Sequence, residues 1–180
     1  MLLVVDNGSI YTKQLTDFLT KKNILFRKST PYILELNSLE KYESIILSGR
    51  TKNDKKINEV NSKIINFSIK NDKKLFGICY GAEILALTLG GTIRKTKSIQ
   101  KGNETIEILQ DNLIANNSIN VFESHAFEIS KLPDTLITIG KSNNCKHEII
   151  QHKEKLIFGT QFHPEMSLDG NNLIENFCLL

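Results

Sequence analysis

The sequence has few of the features that mark secreted, membrane-spanning or metal-binding chains. Its three cysteines, Cys79, Cys145 and Cys178, are an odd number with no paired short spacing, which argues against a disulfide framework and against a zinc knuckle. No run approaches the roughly 18 apolar residues of a membrane span. The apolar run at residues 2–5 is too short for a signal peptide and has no basic segment before it. We therefore expect a soluble protein of a reducing, cytoplasmic compartment.

A basic surface stripe and a boundary between domains are also missing. The formal net charge is +3, and the lysines are spread along the chain, whereas a nucleic-acid-binding protein concentrates basic residues on one face. The composition does not shift along the 180 residues, and a hydrophobic content of 40% is enough for one sizeable core. We predict a single domain over residues 1–180, with no nucleic-acid partner and no membrane association.

Apolar runs of strand length alternate with helical patterns over the first half of the chain. The predicted strands are residues 2–5, 24–28, 44–47 and 74–78, and the predicted helices are residues 11–22, residues 57–70 and the segment after residue 79. Strands with apolar bodies that alternate with helices indicate an α/β fold with a parallel sheet covered on both faces.

The second half of the chain has a different pattern. Short alternating runs at residues 105–109, 119–122, 136–139 and 148–151 predict strands and hairpins. Residues 156–162 form another strand-like run, and residues 171–180 have the spacing of a terminal helix.

The stretch 74–87 predicts a nucleophile elbow around Cys79. A strand-length apolar run leads to a cysteine between Gly77 and Gly81, and apolar residues at helical spacing follow. A turn this sharp strains its central residue and needs small neighbours. The side chain then lies above a helix amino terminus, whose partial positive charge lowers a thiol pKa. A cysteine after a strand is more often a small buried hydrophobe, but the flanking glycines favour a nucleophile.

A nucleophilic thiol needs a base, and the base needs a group that orients it. His163 and Glu165 offer both, because residues i and i+2 at a strand end project to the same side and Pro164 stiffens the link. If the strand before His163 lies near the strand before Cys79, the three side chains meet at the carboxyl edge of the sheet. Such a set can perform acyl transfer.

The same chemistry needs donors for an oxyanion, and the other histidines have to be weighed as well. The backbone amides of Tyr80 and of the Gly49–Arg50 loop are candidate oxyanion donors, because both follow strand ends. The polar surroundings of His147 and His152 predict that both are exposed. His125 follows a strand-like run, and the sequence leaves open whether it lines the site.

Four motifs resemble those of one known family. They are residues 47–49 (LSG), residues 77–81 (GICYG), the Ser124–His125 pair and residues 159–165 (GTQFHPE). In this order, over nearly the whole chain, they are similar to class I (triad) glutamine amidotransferase domains. The resemblance implies a flavodoxin-like three-layer α/β/α fold with a mostly parallel central sheet and a small additional antiparallel sheet.

The resemblance also implies an activity and a set of site residues. Cys79, His163 and Glu165 would form a triad that hydrolyses L-glutamine to glutamate and ammonia. The substrate contacts it implies are Gly81, Glu83, Ser124, His125, Ala126 and Phe127. Since this mechanism needs neither redox chemistry nor a Lewis acid, we expect no metal and no organic cofactor.

Within the family, the Ile-Cys-Tyr-Gly motif and the serine before His125 are most similar to those of the glutaminase subunits of GMP synthases, which are enzymes of purine biosynthesis. The 180 residues contain no ATP-using domain, so the ammonia would pass to a separate ATP-dependent synthetase, the ATP-pyrophosphatase subunit that converts XMP to GMP. Small subunits of anthranilate or aminodeoxychorismate synthase are an alternative, because they have a similar ending, with a His-Lys pair like His152–Lys153 ahead of the final strand. A non-catalytic regulatory subunit and a stand-alone γ-glutamyl hydrolase are further alternatives.

Two positions depart from the family pattern. The family usually has glutamine where Glu83 stands, near the bound substrate, and glycine followed by proline where Arg50 and Thr51 stand. A carboxylate at Glu83 would lie close to the carboxylate of the substrate and lower its affinity unless a cation compensates. We expect Arg50 to be that cation; the alternative is a solvent-facing Arg50 whose backbone N–H still serves the oxyanion.

Overall fold

The structure is a computed structural model that describes residues 1–180. Its nine strands are β1 (Leu2–Val5), β2 (Phe26–Ser29), β3 (Ser44–Leu47), β4 (Lys74–Ile78), β5 (Thr92–Ile108), β6 (Ile119–Lys131), β7 (Leu136–Lys141), β8 (Ile149–His152) and β9 (Ile157–Thr160). Its α-helices are α1 (Thr12–Lys21), α2 (Lys55–Lys70), α3 (Tyr80–Thr88) and α4 (Leu168–Leu179), and short 3-10 helices cover Leu36–Lys41 and Pro164–Met166. None of the helices combines the length and the apolar character that a bilayer crossing requires.

All nine strands join in one sheet, in the order β2-β1-β3-β4-β9-β8-β7-β5-β6. The first five strands in this order are parallel, and the remaining pairings are antiparallel. The predicted α/β fold is confirmed. The sheet is evenly mixed rather than mostly parallel, however, and β5 pairs with β7, so the antiparallel strands extend the main sheet instead of forming a small separate one.

The side chains of the parallel strands point alternately into two separate cores. In β1, Leu2 and Val4 enter a core that α1 and α4 cover, while Leu3 and Val5 enter a core that α2 and α3 cover. All four side chains are buried because a parallel strand in a three-layer fold has helices on both faces. This burial on both faces explains why the first strands are continuous apolar runs in the sequence.

The two longest strands form a hairpin that the sequence only partly predicts. β5 has 17 residues and β6 has 13, whereas the alternating pattern indicates only residues 105–109 and 119–122. Most of β5 is exposed or half-buried, so its outer part lacks the apolar alternation by which a half-buried strand is recognised. The pairing slips between Lys95 and Gln100, where β5 bulges. This hairpin brings residues 124–127 to the carboxyl edge of the parallel strands.

Candidate active site

Cys79 occupies the sharp turn between β4 and α3. Its backbone has φ 49° and ψ −103°, a left-handed conformation that costs a non-glycine residue about 1–3 kcal/mol. Its N–H donates to the Thr160 carbonyl at 2.7 Å, which ties the turn to β9. A Cβ on Gly77 would lie 2.4 Å from the carbonyl carbon of Gly81, and one on Gly81 would lie 2.4 Å from the Leu47 carbonyl oxygen. The predicted elbow geometry is thus confirmed, and both glycines are sterically required.

The surroundings of the Cys79 thiol favour its protonated form. The residue is 8% exposed, and burial, followed by the charges of Glu83 and Glu165, raises the pKa of the thiol well above its usual range. A hydrogen bond from the Tyr80 amide works in the opposite direction. The sequence predicts a lowered thiol pKa from the helix amino terminus, and this prediction is wrong, because desolvation outweighs the helix end.

His163 and Glu165 form a buried pair, with His163 Nδ1 2.9 Å from Glu165 Oε1. The pair does not arise from an extended strand end, which the sequence pattern predicts. Instead a 3-10 turn over Pro164–Met166 starts directly after His163, and it folds the carboxylate back toward the ring. The backbone N–H of His163 donates to the Phe122 carbonyl at 2.9 Å, which fixes the start of this turn.

The imidazole of His163 lies over the carboxyl end of β4. His163 follows β9, which pairs with one side of β4, and Gly49 follows β3, which pairs with the other side. A Cβ on Gly49 would lie only 2.9 Å from His163 Cε1, so the ring reaches across β4, where Cys79 ends the strand. The ring of Tyr11 packs edge-on against the imidazole, with 4.6 Å between ring centroids. His163 and Cys79 therefore share one edge of the sheet.

A buried polar network holds the loop that carries Gly49. The Asn7 amide nitrogen Nδ2 donates to the Ser48 carbonyl at 2.9 Å, and the Asn7 backbone N–H donates to Ser48 Oγ at 2.9 Å. Asn61 of α2 donates to Asn7 Oδ1 at 2.8 Å. The amides of Gly49 and Arg50 form no hydrogen bond within the chain, so both remain available to a ligand.

A pocket of about 250 Å³ opens beside Cys79. It gathers residues from the elbow, from the loop after β3 and from β6. The lining residues are Arg50, Thr51, Asn53, Cys79, Tyr80, Glu83, Ser124, His125, Ala126 and Phe127. The segment 124–127, Glu83 and the thiol, which the sequence places far apart, thus meet in one cavity.

Some residues singled out in the sequence lie outside the lining of this pocket. Gly81 packs against the Leu47 carbonyl and has a structural reason to be glycine. Gly49, His163 and Glu165 also do not line the cavity. His163 and Glu165 are both buried.

Glu83 is buried in the pocket wall next to Gln161, whose Nε2 donates to Glu83 Oε1 at 3.2 Å. Burial raises the pKa of Glu83, while the Gln161 hydrogen bond and the charge of Arg50 oppose this rise. Arg50 forms no ion pair with Glu83; its guanidinium stacks on the Tyr80 ring at 3.8 Å and donates to Asn58. Arg50 therefore compensates the negative charge of Glu83 only in part.

The structure corrects two histidine assignments and adds three residues. His147 and His152 are buried rather than exposed, and burial lowers the pKa of both. Thr51 and Asn53 line the pocket, and Tyr11 donates to Ser124 Oγ at 3.2 Å while its ring contacts His163. The sequence marks Thr51 only as a departure from the family pattern, and no sequence signal marks Asn53 or Tyr11, because isolated polar and aromatic residues in loops are common.

Comparison with known proteins agrees with this geometry. The profile of the class-I glutamine amidotransferase family matches residues 3–180. The glutamine-hydrolysing GMP synthase subunit of Methanocaldococcus jannaschii is 27% identical over 99% of this chain and 96% of its own length. GMP synthase of Helicobacter pylori strain HPAG1 is 32% identical over the whole chain, which spans only 36% of that relative.

Solved structures of glutamine amidotransferases and related proteins have the same fold as this chain. A Thermoplasma acidophilum protein assigned as a GMP synthase subunit superposes with a TM-score of 0.87 at 26% identity, covering 98% of this chain and 91% of its own. A glutamine amidotransferase of Thermotoga maritima superposes with a TM-score of 0.79 at 21% identity, covering 97% and 80% of the two chains, and supports the fold alone. The chain belongs to the class-I glutamine amidotransferase family and is a glutamine amidotransferase homologous to the glutamine-hydrolysing subunits of GMP synthases.

Proposed function

We propose that residues 1–180 form one amidotransferase domain that hydrolyses the side-chain amide of L-glutamine through Cys79, His163 and Glu165. The observation that carries this proposal is the elbow cysteine at a pocket, with a buried histidine–carboxylate pair at the same sheet edge. In this assignment Glu165 orients the imidazole by accepting from Nδ1, which leaves Nε2 for proton transfer.

The reaction proceeds in two steps. His163 takes the proton of the thiol as the sulfur attacks the amide carbon, and it returns this proton to the leaving ammonia. Water then attacks the resulting thioester, releases glutamate and restores the thiol. The amides of Tyr80, Gly49 and Arg50 are the proposed donors to the oxyanion, since the Tyr80 amide already points at the sulfur and the other two have no internal partner.

Ser124, His125, Ala126, Phe127 and Glu83 are the proposed walls for the rest of the glutamine molecule, because they line the pocket that holds the sulfur. Gly81 supports this wall through the helix packing that its missing side chain allows.

The ammonia acceptor that we propose is XMP, bound to a separate ATP-dependent subunit of a GMP synthase. Similarity over 96% of the length of the Methanocaldococcus jannaschii relative supports this choice over an anthranilate or aminodeoxychorismate synthase. The Helicobacter pylori relative, of which this chain spans 36%, has further length outside the matched part.

Glutamate release tests the proposal directly. The chain is incubated with glutamine, alone and with a GMP synthase ATP-pyrophosphatase subunit, ATP and XMP. We expect glutamate and GMP to form together, and Cys79→Ala to abolish both while Cys145→Ala keeps them, because Cys145 is buried outside the pocket. Full activity without any partner would favour a stand-alone hydrolase, and no activity in any mixture would favour a regulatory subunit.

Covalent labelling gives an independent check of the nucleophile. A diazo-ketone analogue of glutamine should modify Cys79, and peptide mapping locates the adduct. Modification of Cys145 or Cys178 in place of Cys79 would contradict the assignment.

A further inference from the structure

Two glutamates with no role in the proposed mechanism are buried next to each other behind the pocket. Glu123 lies in β6 and Glu148 directly before β8, and the exposed fractions of the two residues are 4% and 1%. Their carboxyl groups are within hydrogen-bonding reach of each other. Glu123 Oε1, Glu123 Oε2 and Glu148 Oε2 receive no hydrogen bond from another fixed donor. Two buried carboxylates in contact repel each other strongly, so such a pair shares one proton.

The neighbours of Glu148 determine which acid holds that proton. Ser142 Oγ accepts from the backbone N–H groups of Asn144 and Cys145 at 3.1 and 2.9 Å. Its own hydrogen is therefore free to be donated, and it goes to Glu148 Oε1 at 2.7 Å. The remaining oxygen, Glu148 Oε2, has no donor of its own and is therefore the site for a proton that the pair shares. Burial, followed by the charge of Glu123, raises the pKa of Glu148 to about 9, which agrees with this arrangement.

The other side of Glu123 faces His125 of the pocket wall. Glu123 Oε2 lies 2.9 Å from His125 Nε2. The second ring nitrogen, Nδ1, lies 2.8 Å from the Phe127 carbonyl, and since a carbonyl only accepts, Nδ1 carries a hydrogen. An ionised Glu123 therefore favours a second hydrogen on Nε2, and His125 becomes an imidazolium. Burial lowers the pKa of His125, but Glu123 and the Phe127 carbonyl raise it above its usual value.

We propose that Glu148 and Glu123 are positioning residues: protonated Glu148 keeps Glu123 ionised, and Glu123 holds His125 as an imidazolium that fixes the backbone of residues 125–127 in the pocket wall. The chain of contacts runs from the turn after β7 through two acids to the Phe127 carbonyl. Because Nδ1 is hydrogen-bonded to the Phe127 carbonyl and Nε2 is in ion-pair contact with Glu123, the ring shapes the wall and adds positive charge. This inference rests on the proposed function only where it concerns glutamine.

Other charged groups near the network act on it more weakly. Glu104 of β5 adds negative charge near Glu148, and Glu83 of α3 adds to the field that favours a charged His125. The Cys145 thiol, whose pKa is raised chiefly by burial, stays neutral. The His125 ring therefore faces carboxyl groups from β6 itself and from α3.

Nuclear magnetic resonance of the histidine rings tests the network without any substrate. The His125 signals, identified by their loss in His125→Asn, should titrate above pH 6.5 in the wild-type chain. In Glu123→Gln the midpoint should fall by about one pH unit, since the counter-charge is gone. In Glu148→Gln the midpoint of the His125 titration should be unchanged, because the glutamine side chain can still donate to Glu123 and accept from Ser142. An unchanged midpoint in Glu123→Gln overturns the proposal.

Kinetics test the link to the pocket. We expect Glu123→Gln and Glu148→Met to raise KM for glutamine about tenfold with kcat within about twofold, and Glu148→Gln to behave like the wild type. Glu107→Gln, at an exposed position on β5, is the matched control. Equal KM values for Glu148→Met and Glu148→Gln would overturn the proposal. A wild-type chain inactive toward glutamine would contradict the proposed function, while the ring titration still decides on the network.

Discussion

Glu83 places a titratable carboxyl in the same small cavity as the Cys79 sulfur. Its only hydrogen bond to another side chain comes from Gln161, and burial holds its pKa above the usual range. When Glu83 ionises, it raises the pKa of the thiol further, and in the proposed binding mode it opposes the carboxylate of glutamine. The protonated form is therefore the form suited to catalysis.

Glu83→Gln should lower KM for glutamine by about fivefold, because a neutral amide removes the repulsion between two carboxylates. The glutamine oxygen can still accept from Gln161, so the fold should remain intact. The effect should grow with rising pH, as Glu83 of the wild type loses its proton. Initial rates at several pH values measure KM of the variant and of the wild type, with Glu107→Gln as the control. Identical KM values for Glu83→Gln and wild type across the pH range would refute the role assigned to Glu83.

The elbow between β4 and α3 is the element whose packing is most restrictive. Gly77 in the strand and Gly81 in the helix face each other so closely that a single added methyl group would overlap backbone atoms. Backbone atoms of two packed elements move only together, unlike the end of a flexible side chain. The strained Cys79 conformation depends on this contact, because it forces α3 to start directly above the strand.

Gly77→Ala should therefore lower the free energy of unfolding by about 3 kcal/mol or prevent folding. Gly102→Ala provides the comparison, because Gly102 has φ +128° but nothing within 4 Å of an added Cβ. That control should lose only about 1 kcal/mol from backbone strain. Denaturant unfolding measures both variants. A Gly77→Ala variant as stable as Gly102→Ala would show that the contact relaxes easily.

The elements also show how far sequence reasoning reaches. Strands β1, β3 and β4 and helix α2 were predictable because they are buried in continuous or periodic apolar patterns. The outer half of β5 was not, since most of its residues face solvent on both sides. The His163–Glu165 pair was predictable because it is local, although the turn that creates it is a 3-10 helix. The Glu123–Glu148 contact was not predictable, because 25 positions separate the two acids and an acid in a strand is usually exposed.

At the scale of the whole molecule, the buried ionisable groups make stability depend on pH in both directions. Glu148 has an ordinary pKa of 4.5 when unfolded and about 9 when folded, so its contribution is full below pH 4.5 and is lost as pH rises toward 9. For His147 and His152 the folded pKa lies below 6.5, so their contribution is present above pH 6.5 and is lost as pH falls.

Glu148→Gln should remove the alkaline part of this dependence. At pH 8 we expect the variant to exceed the wild type in free energy of unfolding by at least about 1 kcal/mol, because the unfolded wild type gains from releasing a proton that the folded state keeps. At pH 4 the two proteins should be equally stable within about 0.5 kcal/mol. Thermal unfolding at both pH values provides the comparison. An equal gain at pH 4 and pH 8 would mean that the proton on Glu148 is not the cause.

The parallel and antiparallel parts of the mixed sheet carry different parts of the site. The parallel strands carry the elbow and the loop of Gly49, while the antiparallel hairpin at the end of the same sheet supplies the facing wall at residues 124–127. Substitutions along β5 and β6 can thus reshape the pocket beside Cys79 while leaving the sulfur and the proposed oxyanion donors in place. For protein engineering, this makes the hairpin the natural region to randomise when a different γ-amide is wanted, with the parallel strands kept as a constant scaffold.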